Sequence, residues 1–363
     1  MTNNKAETEK KPRYPRVRSA IERMEPYTPP TDGRGGKLRL DFNENTVGCS
    51  PRVVRVLRNR ATAQFLSVYP EYLASREKIA PFFGVQEDQL TFTDGTDEAI
   101  QLMVHTYVDP GQEVLMSWPT FPIFRLAAES VDAKVSLVRY PQKTLSFPLK
   151  KMIRAIGAKT RLILIANPNN PTASAIGLND IELILQAAPQ AAVLIDEAYF
   201  EFFGITALDL LTHYPNLFVS RTFSKVYGMA GLRIGCLFSQ KENIAMIRKF
   251  QSPYSVNSLA VACALEAVQD QKYIRNYVDE IFEARKTLCE GLDQLGLFYY
   301  PSQANFVLVR FGRRAAMICK LLREYNFLVR DRTKDIPGTI RITVGTRRQV
   351  KTMLKALGEV MGR

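Results

Sequence analysis

One lysine stands in a stretch otherwise rich in hydroxyls and glycines: Ser220-Arg221-Thr222-Phe223-Ser224-Lys225-Val226-Tyr227-Gly228-Met229-Ala230-Gly231-Leu232-Arg233-Ile234-Gly235. Apolar runs flank it, Leu217 to Val219 before and Ile234 to Phe238 after. Runs of that length bounded by Gly and polar residues read as buried strands joined by a loop. A lysine presented there is placed to act as an amine nucleophile, forming a Schiff base with a carbonyl carbon. The hydroxyls of Thr222 and Ser224 and the guanidinium of Arg233 suit a phosphate beside it, because arginine pairs bidentately with phosphate oxygens. A Ser-Lys pair alone reads first as a solvated surface loop, since short motifs match by chance. The rest of the chain has to decide between the two.

Other strand-length runs end in polar clusters in the same way. Leu90 to Thr93 runs into Asp94-Gly95-Thr96-Asp97-Glu98, and Glu113 to Met116 is followed by Trp118-Pro119-Thr120-Phe121-Pro122. Leu162 to Ile165 leads to Asn167-Pro168-Asn169-Asn170-Pro171-Thr172, and Ala192 to Ile195 leads to Asp196-Glu197-Ala198-Tyr199. Helical segments separate these strands, which predicts an α/β fold with a mostly parallel sheet between helices. In such sheets ligands lie beyond the carboxyl ends of the strands, so all the clusters converge on one rim. Past residue 270 the pattern changes to a long charged helix followed by strands and helices of a smaller α+β unit. Before residue 51 the prolines and glycines of Pro26 to Gly36 predict an extended arm, and Ser50-Pro51 opens a helix.

Pyridoxal phosphate makes demands that these clusters can meet. Its aldehyde needs an amine, supplied by Lys225. Its pyridine nitrogen needs a carboxylate to stay protonated, and Asp196 sits at the end of a buried strand, where an unpaired acid would be costly; a helix cap is the competing reading. Asn170 and Tyr199 are placed to serve the ring oxygen, and Gly95-Thr96-Asp97 opens a helix whose N–H groups suit a phosphate. Phe121 could stack on the ring or belong to the core.

In this order the segments resemble the fold-type I pyridoxal-phosphate aminotransferases of class I/II. The resemblance runs from Tyr27 to the C-terminus and rests on the S-K-x-x-x-x-A-G-x-R-x-G pattern at 224 to 235, preceded by N-P-x-N-P-T and D-E-A-Y. Within that family, Pro26-Tyr27, Asn43-Glu44-Asn45, Tyr69-Pro70-Glu71, Val329-Arg330-Asp331 and Ile340-Arg341-Ile342-Thr343-Val344-Gly345 are similar to the histidinol-phosphate aminotransferase branch. The resemblance implies a large domain over 51-270, a small one over 271-363, and an arm over 20-50 packing on the small one. It implies Lys225 as the catalytic residue holding pyridoxal 5'-phosphate, with Asp196 on the pyridinium and Tyr199 and Asn170 on the ring oxygen. Thr96, Asp97, Thr222, Ser224 and Arg233 would bind the cofactor phosphate. Tyr69 would reach the phosphate of a neighbouring subunit, which makes a homodimer with shared sites. Arg341 and Arg330 would hold the substrate's anionic group, with Tyr27 closing the pocket. The implied reaction moves an amino group from histidinol phosphate to 2-oxoglutarate in histidine biosynthesis. An aromatic amino-acid aminotransferase and a decarboxylase of a phosphorylated amino acid are the alternatives.

Three departures stand out. Ala173 replaces the usual Gly, which implies an altered loop; Thr46 replaces the common Pro after Asn45; and Phe121 stands where close relatives often carry Tyr. The last two bear on the substrate. Composition excludes other classes. The 363 residues are 46% hydrophobic and 23% charged, ordinary for a globular protein of about two domains. No apolar run approaches about 18 residues and no signal-peptide core opens the chain, so no membrane partner and a cytoplasmic setting are expected. Five scattered cysteines and two histidines show no metal-ligand spacing. The net charge of +13 lies partly in residues 1-19, a basic tail expected to be disordered; without aromatic-interleaved basic patches, no nucleic-acid partner is expected.

Overall fold

A computed structural model of the chain describes residues 14–362. The expected disordered tail therefore lies outside the described residues up to residue 13, and residues 14–18 are exposed and without regular structure. The remainder is organised around two sheets. The first strand, β1 (Leu38–Leu40), belongs to the smaller of them. The larger is built from β2 (Leu90–Thr93), β3 (Glu113–Trp118), β4 (Lys134–Arg139), β5 (Thr160–Ala166), β6 (Ala192–Asp196), β7 (Leu217–Thr222) and β8 (Gly235–Phe238), in the order β2-β8-β7-β6-β5-β3-β4.

Strands β4, β3, β5, β6 and β7 are parallel. Their near-continuous apolar runs follow from burial on both faces. Ile163, Ile165, Val193, Ile195, Leu217 and Val219 enter one core, while Leu162, Leu164, Ala192, Leu194 and Phe218 enter the other. That alternation is the two-residue repeat of a strand. The second core is closed by the helices Gly95–Tyr107 and Pro122–Ser130. The first core continues without a break into the smaller sheet, through Phe306, Val307 and Ile340.

The sheet departs from the parallel pattern at β8, which is antiparallel to both β7 and β2. No helix crosses over between β7 and β8, only a loop with the short 3-10 turn Ala230–Leu232. A parallel return requires a crossover of a dozen or more residues, usually helical, whereas an antiparallel one does not. Two reversals restore β2 to the direction of β7, so the end of β2 and the start of its helix join the common rim. In the register, Thr93 and Thr222 both face Gly235. A Cβ on Gly235 would lie 2.7 Å from the Arg221 carbonyl oxygen and 3.1 Å from the Gly95 carbonyl carbon.

The smaller sheet contains β9 (Phe298–Tyr299), β10 (Phe306–Arg310), β11 (Phe327–Asp331) and β12 (Thr339–Thr343), in the order β1-β11-β12-β10-β9. Only the β1–β11 pair is parallel. The helix Gln271–Gln294 packs along Arg347–Val360, which opens with a capping box between Thr346 and Gln349. The N-terminal arm does not lie on one body throughout. Lys37 donates to the Arg323 carbonyl (3.2 Å) and Asn326 Oδ1 (3.0 Å) beside the smaller sheet. The short helix Ser19–Glu22 instead packs on Pro122–Ser130 beside the larger one, where its one buried side chain, Ala20, finds apolar cover. The expectation of an arm wholly on the small unit is thus corrected for its first residues.

Gly235→Ala forces a methyl group into the row shared by β7, β8 and the Gly95 turn. Urea unfolding is expected to register a loss of about 1–3 kcal/mol, whereas Gly157→Ala, with open space around it, changes stability little.

Candidate active site

At the rim, β6 ends on Asp196, and its register partner on β7 is Ser220, whose Oγ donates to Asp196 Oδ1 at 3.0 Å. The next residues point the other way. Glu197 accepts from Arg221 Nε at 2.7 Å and from the Ala207 N–H at 2.6 Å, and the Arg221 guanidinium lies over the Phe200 ring. The Asp-Glu pair thus divides its work: Glu197 locks strand to loop, and Asp196 faces the site. Asp196 is only 4% exposed and forms no salt bridge among the described residues. Burial pushes its carboxyl up to about 7, the Ser220 hydrogen bond opposes this, and the nearby Asp97 charge adds to it. A buried acid of that kind is suited to a protonated ring nitrogen.

Lys225 is half-buried in the loop after β7, with Nζ donating to the Phe42 carbonyl at 3.0 Å and standing 5.8 Å from the centre of the Tyr199 ring. The N-terminal arm holds this loop at two more points. Asn45 Nδ2 donates to the Val226 carbonyl at 2.9 Å, and a Cβ on Gly228 would sit 2.5 Å from the Gly48 oxygen.

Beside the lysine lies a cradle for an anion. Gly95 opens its helix with φ +65°. The absence of a side chain lets the Arg233 guanidinium pass where a Cβ would stand 2.7 Å from Nη2. Arg233 itself adopts φ +54° and is held by Asp97 at 3.0 Å and Asp94 at 3.7 Å. Asp97 was expected to bind phosphate; its carboxylate accepts only, so what it offers an anion is its backbone N–H. Thr96 Oγ1 is buried without a partner. Thr222 Oγ1 accepts from the Ser224 N–H at 3.1 Å and keeps its own proton to donate. An unpartnered hydroxyl, a helix N-terminus and a guanidinium fit a phosphate.

On the opposite side, Asn170 Oδ1 accepts from Arg341 Nη1. A guanidinium can only donate, so the Asn170 amide nitrogen faces away and is free to donate. The other residues of that loop are fully used: Asn167 bonds both ways with the Ile176 backbone, and Asn169 ties to Thr120, Pro119 and Thr172. Ala173 adopts a left-handed φ of +58°, a conformation that costs a residue with a Cβ some backbone strain. Thr46, where Pro is common, donates its hydroxyl proton to Gln349 Oε1 at 2.7 Å.

Arg341 is 5% exposed, donates to the Asp41 carbonyl, and leaves Nε without a partner. Burial pulls its pKa down to about 10, and the charges of Arg332 and Arg330 add to the effect. Arg330 is its register partner on β11, and Arg332, two residues on, lies on the same side of the strand. Arg332 pairs with Asp335 at 2.7 Å, its Nε also unpartnered. Tyr27 is close enough to act electrostatically on both Arg332 and Arg341. Phe121 caps its helix half-buried, edge-on to Phe124 at 6.1 Å. Tyr69 is 74% exposed and stacked on Tyr254, apart from the groups gathered around Lys225.

Several functional groups escaped the sequence reading. The Phe42 and Asp41 carbonyls carry no side-chain signal. Arg332 had one, as a third arginine two residues beyond Arg330. Asn43 was marked as a motif without a role; its Nδ2 donates to Tyr199 Oη at 2.8 Å.

Residues 36–357 match the family model of class I and II aminotransferases. The chain is 36% identical over 361 residues to the histidinol-phosphate aminotransferase of Symbiobacterium thermophilum, covering 95% of this chain and 99% of the relative. It is 35% identical over 334 residues to that of Geobacillus sp., covering 89% and 90%. Among solved structures, the histidinol-phosphate aminotransferase of Sinorhizobium meliloti in complex with pyridoxal-5'-phosphate superposes with a TM-score of 0.88 at 25% identity, covering 96% and 98%. The chain belongs to the class I and II aminotransferases.

Burial holds the folded Asp196 carboxyl at about 7, above the ordinary carboxylate value of 3.8, so its contribution to the stability of the ligand-free protein is fully present below pH 3.8 and is lost as pH rises through 7. Asp196→Asn is expected to remove this slope, a difference of up to about 4 kcal/mol between the two proteins across that window. Urea titrations at pH 4 and pH 8 read it directly, and parallel pH profiles would count against the assignment.

Proposed function

We propose that this aminotransferase uses pyridoxal 5'-phosphate on Lys225, takes an amino group from histidinol phosphate, passes it to 2-oxoglutarate, and so serves histidine biosynthesis. The cofactor fits the chain on independent grounds: a buried acid without a cation partner, an unpartnered Thr96 hydroxyl, and a Gly95 turn that clears room for Arg233 over a helix N-terminus. When bound, it supplies the electron sink and carries the amino group between substrates. Asp196 keeps a proton on the ring nitrogen, and Tyr199 and Asn170 donate to the ring oxygen. Thr96, Thr222, Ser224, Arg233 and the N–H of Asp97 hold the phosphate. Lys225 Nζ takes the proton from the substrate carbon that bears the nitrogen and returns it in the second half-reaction.

The observation that carries the choice of donor is a charge balance. Arg330, Arg332 and Arg341 crowd together, and among the described residues only Asp335 forms a salt bridge with any of them. Two surplus positive charges, together with the unpartnered Nε atoms of Arg332 and Arg341, suit a phosphate monoester better than a single carboxylate. Tyr27 closes that pocket. We assign Phe121 the wall beside the ring.

We also assign residues 51–270 to a large domain and 271–363, with part of the arm, to a small one; the long helix Gln271–Gln294 runs at the join. No helix of the described residues is long and apolar enough to cross a membrane. The exposed stack of Tyr69 on Tyr254, with exposed Leu66, Val68 and Leu73 close by in sequence, makes an apolar patch that a second copy of the chain would cover. In such a homodimer Tyr69 would reach the neighbouring cofactor phosphate. Light scattering is expected to give the mass of a dimer, and Tyr69→Phe to weaken cofactor binding while leaving that mass unchanged.

The direct test is the absorbance of the protein with pyridoxal 5'-phosphate. Histidinol phosphate should collapse the visible band and 2-oxoglutarate restore it, with parallel lines in steady-state kinetics. A band that responds only to phenylalanine or tyrosine moves the donor, and release of CO2 without use of an oxo acid moves the reaction. Lys225→Ala should abolish the band. Arg341→Gln should lower kcat/KM for histidinol phosphate by about 100-fold, the scale of a buried charge-assisted contact.

A further inference from the structure

Asn43 makes more hydrogen bonds than a connecting segment needs. It is 1% exposed and holds φ +57°, a conformation that Asn tolerates better than most residues. Its backbone N–H donates to Thr343 Oγ1 at 3.1 Å, and the Thr343 hydroxyl donates back to Asn43 Oδ1 at 3.1 Å. Asn43 Nδ2 then donates to Tyr199 Oη at 2.8 Å, and the Asn43 carbonyl accepts from Asn305 Nδ2 at 3.2 Å.

Counting donors gives this relay one direction. A threonine hydroxyl has a single proton, and Thr343 gives it to Oδ1, which fixes which end of the carboxamide faces inward. The amide nitrogen must then face Tyr199, so the phenol oxygen accepts there and its only proton points elsewhere. Three cations face Tyr199: Lys225 Nζ stands over its ring, and Arg332 and Arg341 lie within electrostatic reach. None of them can accept that proton.

We infer that Asn43 is a positioning residue: together with Thr343 it compels Tyr199 to donate toward the group bound at Lys225, and it makes that donation conditional on the seating of the smaller sheet, which carries Thr343. This rests on the cofactor reading above and goes beyond it, because it assigns Asn43 and Thr343 a share in the chemistry without contact with the substrate. An asparagine that merely braced the arm would affect stability and leave the cofactor's electronic properties alone.

The test uses full-length protein loaded with pyridoxal 5'-phosphate and follows the pH midpoint of its visible absorbance. A donor to the ring oxygen draws charge from it; with the donor lost, the oxygen holds the proton it shares with the lysine nitrogen to higher pH. Thr343→Val, which keeps shape and removes the hydroxyl, is expected to raise the midpoint by about half to one pH unit, and Thr343→Ser to restore it. Asn43→Asp, which offers Tyr199 an acceptor in place of a donor, should raise the midpoint at least as far. It should also weaken uptake of cofactor by the cofactor-free protein about tenfold, as loss of one good hydrogen bond would. Asn43→Asp carries the test alone if Thr343→Val does not fold. Midpoint and affinity unchanged in the folded variants would overturn the positioning role while leaving the cofactor site standing. No visible band in the unaltered protein would overturn both.

Discussion

The short connection between β7 and β8 is the constraint on which the rest depends. The connection carries no crossover helix, and β8 runs backward with β2 running forward beside it. That double reversal brings the start of the Gly95 helix next to the loop that carries Lys225 and Arg233. With a helical crossover in its place, the amine and the anion cradle would be separated by at least one strand. Glycine at 95, 228 and 235 follows from the same crowding, since each lies where another backbone or a guanidinium passes too near for a Cβ.

Two buried groups at the rim lack their counter-charges, and they have opposite signs. Among the described residues, Asp196 has hydroxyl and backbone donors but no cation, and Arg341 has a carbonyl and an amide oxygen but no carboxylate. Each costs folding stability because burial without an opposite charge is unfavourable. A cofactor that brings a ring cation and a substrate that brings an anion would relieve both. The local instability of the ligand-free protein and its affinity for ligand are then one quantity seen from two sides.

Much of this was legible in the sequence because strand ends in a parallel sheet share a rim. Once Asp196, Asn170, Lys225 and the Gly95 turn were placed at strand ends, their convergence followed without coordinates. The reversal at β8 was not legible, since apolar runs do not encode direction. Nor were the contributions of Asp41 and Phe42, which act through backbone carbonyls that any residue possesses. Arg332 was overlooked beside its neighbour: Arg330 and Arg341 matched a familiar pattern, and the fold brings the third guanidinium within electrostatic reach of Arg341. Asn43 was visible as a motif, but its partners Thr343 and Tyr199 lie far from it along the chain.

The edge strand β1 adds a consequence in time. Leu38 pairs with Phe327, and the acceptor for Lys225, Phe42, lies just past β1, so an earlier-made segment waits for one made much later. Pairings of such long sequence separation form slowly and late. A nascent or truncated chain can assemble most of the larger sheet, yet it holds neither Arg341 nor the Thr343 hydroxyl. Synthesis therefore yields no early fragment with a complete site.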